Sequence, residues 1–143
     1  MKKILIICSK NFYGMIASIK DVLDNKYEIF LPNCYDNPNT EFEMKEFGVE
    51  KHREFKAKMF KQSENTIKEM DAVLVLNMDK EKDGIIYKNY IGGATFLEMY
   101  DAFRNNKKIY LYNEIPEGML YDEIVGFGVE VINGDLGRID LDV

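Results

Sequence analysis

Short stretches of consecutive apolar residues, rich in β-branched side chains, recur along the chain. The clearest are KILIIC (3–8), AVLVLN (72–77) and KIYLYN (108–113). Continuous apolar runs of this length are typical of strands buried on both faces of a parallel sheet. Two weaker runs, YEIFLP (27–32) and VEVING (129–134), bring the predicted strands to five.

Segments with apolar residues at helical spacing lie between the predicted strands. They cover residues 14–25, 44–70, 94–106 and 119–127. Strands that alternate with helices predict an α/β fold with a doubly wound, five-stranded parallel sheet in the order 2-1-3-4-5. We expect a flavodoxin-like three-layer sandwich, and a length of 143 residues favours one domain over residues 1–143.

Two polar connections follow predicted strands and mark the expected ligand-binding edge. They are PNCYDNPNTEFE (32–43) and MDKEKDGIIYKNYIGG (78–93). Because open α/β sheets bind ligands at the carboxyl ends of their strands, both connections are expected near a pocket. The second is long enough to be a lid or a pocket wall.

Charge and composition narrow the choice of partner. The formal net charge is −6, which argues against a nucleic-acid polymer, although one helix N-terminus can still hold a small anion. The apolar runs are too short for a membrane span, so we expect no membrane partner. Cys8 and Cys34 lack metal-ligand spacing and His52 is the single histidine, so we expect no metal. Two cysteines without a disulfide pattern are typical of a cytoplasmic protein, and we expect no cofactor.

The stretch NYIGGATFLEMYDAF (89–103) carries the strongest candidate site. Gly92 and Gly93 precede a predicted helix, where glycines let a ligand approach backbone N–H groups, and the Thr95 hydroxyl follows them. Two alternatives stay open at these positions. The glycines also suit a turn that needs positive φ, and Thr95 also suits a first-turn helix residue.

Glu98 is the acidic residue of this predicted helix that lies nearest to the glycine pair. A helical wheel places Phe96, Leu97, Tyr100 and Phe103 on the side expected to face the sheet, with Glu98 nearly opposite. A solvated surface glutamate explains that position as well as a ligand-facing one does.

Further candidates follow the first and third predicted strands. Ser9 and Asn11 can bind a sugar or phosphate, or can cap the next helix, and Asp79 is an electrostatic candidate or a solvated loop residue. Aromatic rings near the same loops can stack on a nucleobase. These rings belong to Phe12, Tyr13, Tyr87 and Tyr90.

The segment from Met70 to Glu117 resembles the nucleoside 2-deoxyribosyltransferase-like superfamily. The resemblance is carried by MDAVLVLN (70–77), by the IGGxTxxEM pattern of residues 91–99, and by the tail VINGDL (131–136). IICSKNF (6–12) is similar to the family's first strand and its Cys-Gly-Ser turn. The resemblance implies that Glu98 is the nucleophile that cleaves an N-glycosidic bond in a nucleoside or nucleoside 5′-monophosphate. It also implies a possible homo-oligomer, because relatives often complete each pocket with a neighbouring subunit.

The chain departs from the family pattern at several positions. Gly92 stands where active relatives carry an aspartate, and Ala94 stands where they commonly carry an asparagine. The tyrosine that they place near the end of the first strand is replaced by apolar residues, with Tyr13 only in the following turn. These departures keep a non-catalytic nucleotide-binding or sensing module open as an alternative. A flavodoxin-like electron carrier is a third hypothesis, although CSKNFYG (8–14) is poor in the hydroxyls that a flavin phosphate needs.

Overall fold

Five parallel strands form the central sheet of the computed structural model, which describes residues 1–141. Counted along the chain, these five strands lie in the order 2-1-3-4-5 across the sheet, which confirms the predicted order. The strands are β1 (Lys3–Ile7), β2 (Glu28–Phe30), β3 (Ala72–Val75), β6 (Lys108–Leu111) and β7 (Glu130–Val131).

Helices cover both faces of the sheet and give the flavodoxin-like three-layer sandwich that the sequence predicted. They are α1 (Ile16–Leu23), α2 (Thr40–Glu46), α3 (Val49–Lys68), α4 (Gly93–Arg104) and α5 (Tyr121–Gly126), with 3₁₀ helices at Lys10–Met15 and Leu136–Arg138. None of the helices within residues 1–141 is both long enough and apolar enough to cross a membrane.

The strands bury side chains on both faces, which explains their continuous apolar sequences. Ile4, Ile6 and Leu74 point into a core shared with α1, and Leu5 and Val73 point into a second core shared with α3, α4 and α5. Each side chain of this size that is fully buried contributes about 1.5–3 kcal/mol of transfer free energy. The sheet is therefore a rigid platform whose carboxyl edge carries the loops.

The helical segment 44–70 is two helices rather than one. The break falls at Gly48, whose φ of +119° is strained for a residue with a side chain. Gly48 caps the start of α3, and α2 turns back against that helix. The glycine thus sets the angle between α2 and the long α3.

The wheel-based orientation of α4 was wrong. Thr95, Met99 and Ala102 are the buried residues of this helix, while Leu97, Tyr100 and Phe103 are about half exposed. Met99 and Ala102 join the second core together with Leu5 and Val73. The aromatic rings instead pack beside α5, where Phe96, Tyr100 and Phe103 lie 5.5, 6.2 and 5.7 Å from the ring centroid of Phe127.

The connection expected as a lid or loop at residues 78–93 contains a small antiparallel hairpin. Its strands are β4 (Lys80–Lys82) and β5 (Ile85–Tyr87). Asp83 and Gly84 form the turn with φ values of +54° and +76°, the two positive values that a tight hairpin turn of this kind requires.

Candidate functional site

A cavity of about 490 Å³ opens at the carboxyl edge of the sheet. The turn after β1, the connection after β2, α2, α3 and the start of α4 supply its walls. The cavity brings together eight of the predicted site residues, namely Ser9, Asn11, Tyr13, Tyr90, Gly92, Gly93, Thr95 and Glu98.

Glu98 is a partly buried residue in the second turn of α4, and its side chain lines this cavity. Burial raises the pKa of its carboxyl to about 7, and the charge of Asp101 adds to the effect. The Ser63 hydroxyl and the Lys56 ammonium act in the opposite direction and favour the carboxylate. A carboxyl group with this pKa exchanges its proton near neutral pH, as nucleophiles and acid–base groups in active sites do.

The backbone conformation does not require glycine at either position of the glycine pair. Gly92 is extended, with φ −79° and ψ 169°, and Gly93 is not among the residues with positive φ. A Cβ added at Gly93 would meet no atom within 4 Å. The positive-φ alternative is therefore excluded at both positions, and Gly93 leaves open space beside the first N–H groups of α4.

Thr95 adds a hydroxyl to this helix end. The residue is only 3% exposed, lines the cavity, and makes no side-chain hydrogen bond within the part of the chain that the structure describes. The helix cap, Gly92, has no side chain to bind the first-turn N–H groups. An unpartnered hydroxyl next to uncapped N–H groups suits an anionic or hydroxyl-bearing ligand.

The turn after β1 forms the opposite wall. The Ser9 hydroxyl accepts hydrogen bonds from the Asn11 backbone N–H at 3.3 Å and from Asn11 Nδ2 at 2.8 Å, so the capping role of Ser9 is realised. The Tyr13 hydroxyl donates to the Asn33 carbonyl at 2.9 Å, and burial is the main cause that raises its pKa. Tyr13 therefore stays protonated and ties this turn to the connection after β2.

The predicted residues Phe12, Asp79 and Tyr87 lie outside the cavity lining. Phe12 is buried in the core, where its ring packs 6.5 Å from that of Tyr90. Asp79 is exposed and accepts the Asn89 N–H at 2.9 Å, which closes the base of the connection that carries the hairpin. Phe12 supports the aromatic wall from behind, and Asp79 is a loop-stabilising residue.

Several lining residues were missed by sequence analysis. Asn33 follows β2 in a connection already expected near the ligand, so its position was the available signal. Ser63, Lys56 and Glu41 come from α2 and α3, and no local pattern distinguishes them from residues on a solvated helix face. Only the packing of these helices over the sheet edge brings them to Glu98.

The cavity is rich in cations although the chain is acidic. Four lysines and two glutamates line it, and one of the glutamates is Glu98. The other is Glu41, which lies 2.9 Å from His52 Nε2 and 3.7 Å from Lys56 Nζ. Burial raises the pKa of Glu41, but the bond to His52 and the lysine charges outweigh it, and the net pKa is lowered. The lysines are Lys10, Lys45, Lys56 and Lys80.

Tyr90 and Lys80 form the wall next to the glycine pair. Lys80 Nζ lies 4.5 Å from the centre of the Tyr90 ring, within the range of a cation–π contact. The Tyr90 hydroxyl is 3.5 Å from the place that a Gly92 Cβ would occupy. The contact holds a cationic side chain close to the start of α4.

Cys8 is a nucleophile candidate by residue type, and its environment argues against that role. Burial, followed by the charge of Glu98, raises the pKa of the Cys8 thiol to about 12. The thiol is therefore protonated at neutral pH and is a poor nucleophile. Among residues 1–141 no cluster of metal-ligating side chains is present.

No protein family, curated protein or solved structure that was compared with the chain matches it.

Proposed function

We propose that the protein cleaves or transfers at the N-glycosidic bond of a nucleoside or nucleoside 5′-monophosphate, with Glu98 as the nucleophile. The observation that carries the proposal is the position of Glu98. Its carboxyl has a pKa of about 7 and lies one helical turn after Thr95. Thr95 itself lies at a helix start that has no side-chain cap. A ligand bound by that helix start places its sugar beside the carboxylate.

The chemistry fits a carboxylate. A Glu98 oxygen attacks the anomeric carbon as the bond from that carbon to the base nitrogen breaks, and the bonding electrons leave with the base, which takes up a proton. Water or a second base then attacks the anomeric carbon and releases the Glu98 carboxylate. Water gives hydrolysis, and a base gives transfer.

The four lysines favour a phosphorylated substrate over a free nucleoside. Lys56 and Lys45 are balanced in part by Glu41, whereas Lys80 is held against Tyr90. A phosphate at the start of α4 would meet the uncapped N–H groups and the Thr95 hydroxyl and lie near this cation.

The alternative of a non-catalytic nucleotide-binding or sensing module has one specific observation in its favour. Glu41, the second cavity carboxyl in the described part of the chain, has a lowered pKa and is paired with His52 and Lys56. It is therefore a poor donor of the proton that a leaving base needs. A pocket without that donor can hold a nucleotide without cleaving it.

The test is chromatography of free nucleobase released from a panel of nucleosides and 5′-monophosphates, with and without a second base as acceptor. Wild type is compared with Glu98→Gln, and Glu117→Gln on an exposed loop is the matched control. We expect Glu98→Gln to lower base release at least about a thousandfold and Glu117→Gln to leave it unchanged.

An active Glu98→Gln protein would contradict the catalytic proposal. Thermal stabilisation of wild type by a nucleotide, without base release from any member of the panel, would instead support the binding module, because a ligand that binds only the native state raises its apparent stability.

A further inference from the structure

Ser63 is a buried polar residue that touches the site from a different helix. It lies on α3, is only 6% exposed, and lines the cavity that Glu98 also lines. Its hydroxyl is 2.7 Å from Asn33 Nδ2, and α3 packs against α4, the helix that brings Glu98 to the same cavity. A buried hydroxyl near an amide and a carboxyl group can donate its single proton to few acceptors.

The orientation of the Asn33 amide decides where that proton goes. Asn33 Nδ2 donates to the Met59 carbonyl at 3.3 Å, and a carbonyl oxygen can only accept a hydrogen bond. On the other side, Gln62 Nε2 donates to Asn33 Oδ1 at 3.0 Å. Nδ2 therefore faces α3 and donates to Ser63, so the Ser63 hydroxyl accepts from Asn33 and its own proton stays available for another acceptor at the cavity.

The backbone of Asn33 is fixed as well. Its carbonyl accepts from the Tyr13 hydroxyl at 2.9 Å, and the next residue, Cys34, has a φ of +62°. The amide is thus clamped between the turn after β1 and the middle of α3. An amide held in this way also fixes the orientation of the Ser63 hydroxyl, which therefore loses little freedom when it donates to a carboxylate.

Few other groups compete for the Glu98 oxygens. Lys56 carries the opposite charge, but its Nζ lies 3.7 Å from a Glu41 oxygen and so serves two carboxylates. Asp101 on α4 repels the carboxylate. Burial, and to a lesser extent the Glu98 charge, raise the pKa of the Cys8 thiol and of the Tyr13 hydroxyl, so both groups stay protonated. The charged or titratable groups that face Glu98 are Lys56, Asp101, Cys8 and Tyr13.

We propose that Ser63 is the positioning residue of Glu98, with Asn33 directing its hydroxyl proton onto one carboxylate oxygen and leaving the other oxygen free towards the cavity. Its catalytic consequence rests on the proposed function of Glu98 as a nucleophile. The hydrogen bond favours the ionised form, so it keeps more of the protein in the state that can attack.

The test follows the Glu98 carboxyl directly by ¹³C NMR titration of protein labelled at glutamate side chains, with the signal assigned by its loss in Glu98→Gln. Ser63→Ala is expected to raise the pKa of Glu98 by about one unit, the size expected for loss of one hydrogen bond to an ionised group. Ser63→Cys keeps most of the side-chain volume and should raise it in the same way. Ser18→Ala, which removes an exposed hydroxyl from α1, should leave it unchanged.

An unchanged Glu98 titration in folded Ser63→Ala and Ser63→Cys would overturn the inference, whether or not the protein is an enzyme. In an active enzyme, the shift predicts that kcat of Ser63→Ala falls about fivefold at pH 7, recovers towards pH 9, and leaves KM nearly unchanged. If Glu98→Gln abolishes base release while Ser63→Ala changes neither titration nor pH profile, the proposed function stands and the inference falls.

Discussion

Glu98 is a carboxyl group that the fold holds partly out of water and that has no ion pair of its own within residues 1–141. Lys56 is shared with Glu41, and the neighbouring Asp101 has the same charge as Glu98. Desolvation of a carboxylate is unfavourable unless partners compensate for it, and here they compensate only in part. The ionised form of Glu98 is therefore unfavourable in the folded protein.

The unfavourable burial of this carboxylate predicts a pH-dependent effect of Glu98→Gln on stability. The folded pKa of about 7 lies above the ordinary value of 4.5, so the native state binds more protons than the unfolded chain between these values. The stability contributed by protonated Glu98 is present below pH 4.5 and is lost as the pH rises through 7. At pH 8 Glu98→Gln should be more stable than wild type by about 2 kcal/mol, with little gain at pH 4.5.

Urea unfolding of both proteins at pH 4.5 and pH 8 measures this difference. Glu117→Gln is again the control, because this exposed loop residue should give the same small change at both values. A gain from Glu98→Gln that is equal at both pH values would show that burial does not perturb the glutamate.

At the residue scale, the contacts that could be predicted from the sequence are those between residues close together along the chain. Gly92, Gly93, Thr95 and Glu98 lie within seven consecutive residues, so one helix start brings them together. The bond between Asn33 and Ser63 joins residues 30 positions apart. No periodicity encodes such a contact, because it depends on how α3 crosses the end of β2.

At the scale of elements, the junction of α2 and α3 shapes one wall of the cavity. Glu41 and Lys45 lie on α2, Lys56 and Ser63 lie on α3, and Gly48 joins the two helices. The angle between the helices sets how far Glu41 stands from Lys56. A change in this junction should therefore affect the wall while leaving the sheet intact.

Gly48→Ala should destabilise the protein by about 1–2 kcal/mol, because alanine is strained at a φ of +119°. The added Cβ meets no atom within 4 Å, so the loss would come from the backbone alone. Thermal or urea unfolding measures it. Gly14→Ala is the matched control, since a Cβ there also meets nothing and the φ is ordinary. Equal stability of the two variants would contradict the assigned strain.

The strands could be predicted because their sequences and their environment agree. KILIIC, AVLVLN and KIYLYN are buried on both faces, so each run is continuous and its strand is unmistakable. The α4 face was mispredicted because aromatic residues there pack beside α5 rather than under the helix. The hairpin was not predicted, although Asp83-Gly84 is a strong turn dipeptide, because its strands are only three residues long and largely exposed and so carry no burial pattern.

At the scale of the whole molecule, charge is distributed unevenly. The chain carries a net charge of −6, yet four lysines face the cavity against two glutamates. Long-range repulsion of an anionic ligand by the protein is screened by salt over about 10 Å, whereas the lysines act at close range. An anion should therefore bind in this cavity rather than elsewhere on the surface.

This arrangement predicts that 5′-monophosphates bind more tightly than the matching nucleosides. Lys80→Ala should weaken monophosphate binding roughly three- to tenfold and change nucleoside binding little, because only the charged ligand loses an ionic partner. Calorimetric titration at low and moderate salt measures both affinities. Lys82→Ala, which removes an exposed lysine from the same strand, is the control. Equal losses for the two ligands in Lys80→Ala would count against an ionic role.

The separate pairing of β4 with β5 has a consequence for how the site can diversify. These strands form hydrogen bonds with each other and, within residues 1–141, with no strand of the five-stranded sheet. Even so, Lys80 of β4 and Tyr90, in the segment after β5, line the cavity. Insertions or deletions at the Asp83-Gly84 tip would then leave the register of the central strands untouched. Evolution, or a protein engineer, can alter one wall of the pocket in length and sequence while the platform beneath it stays the same.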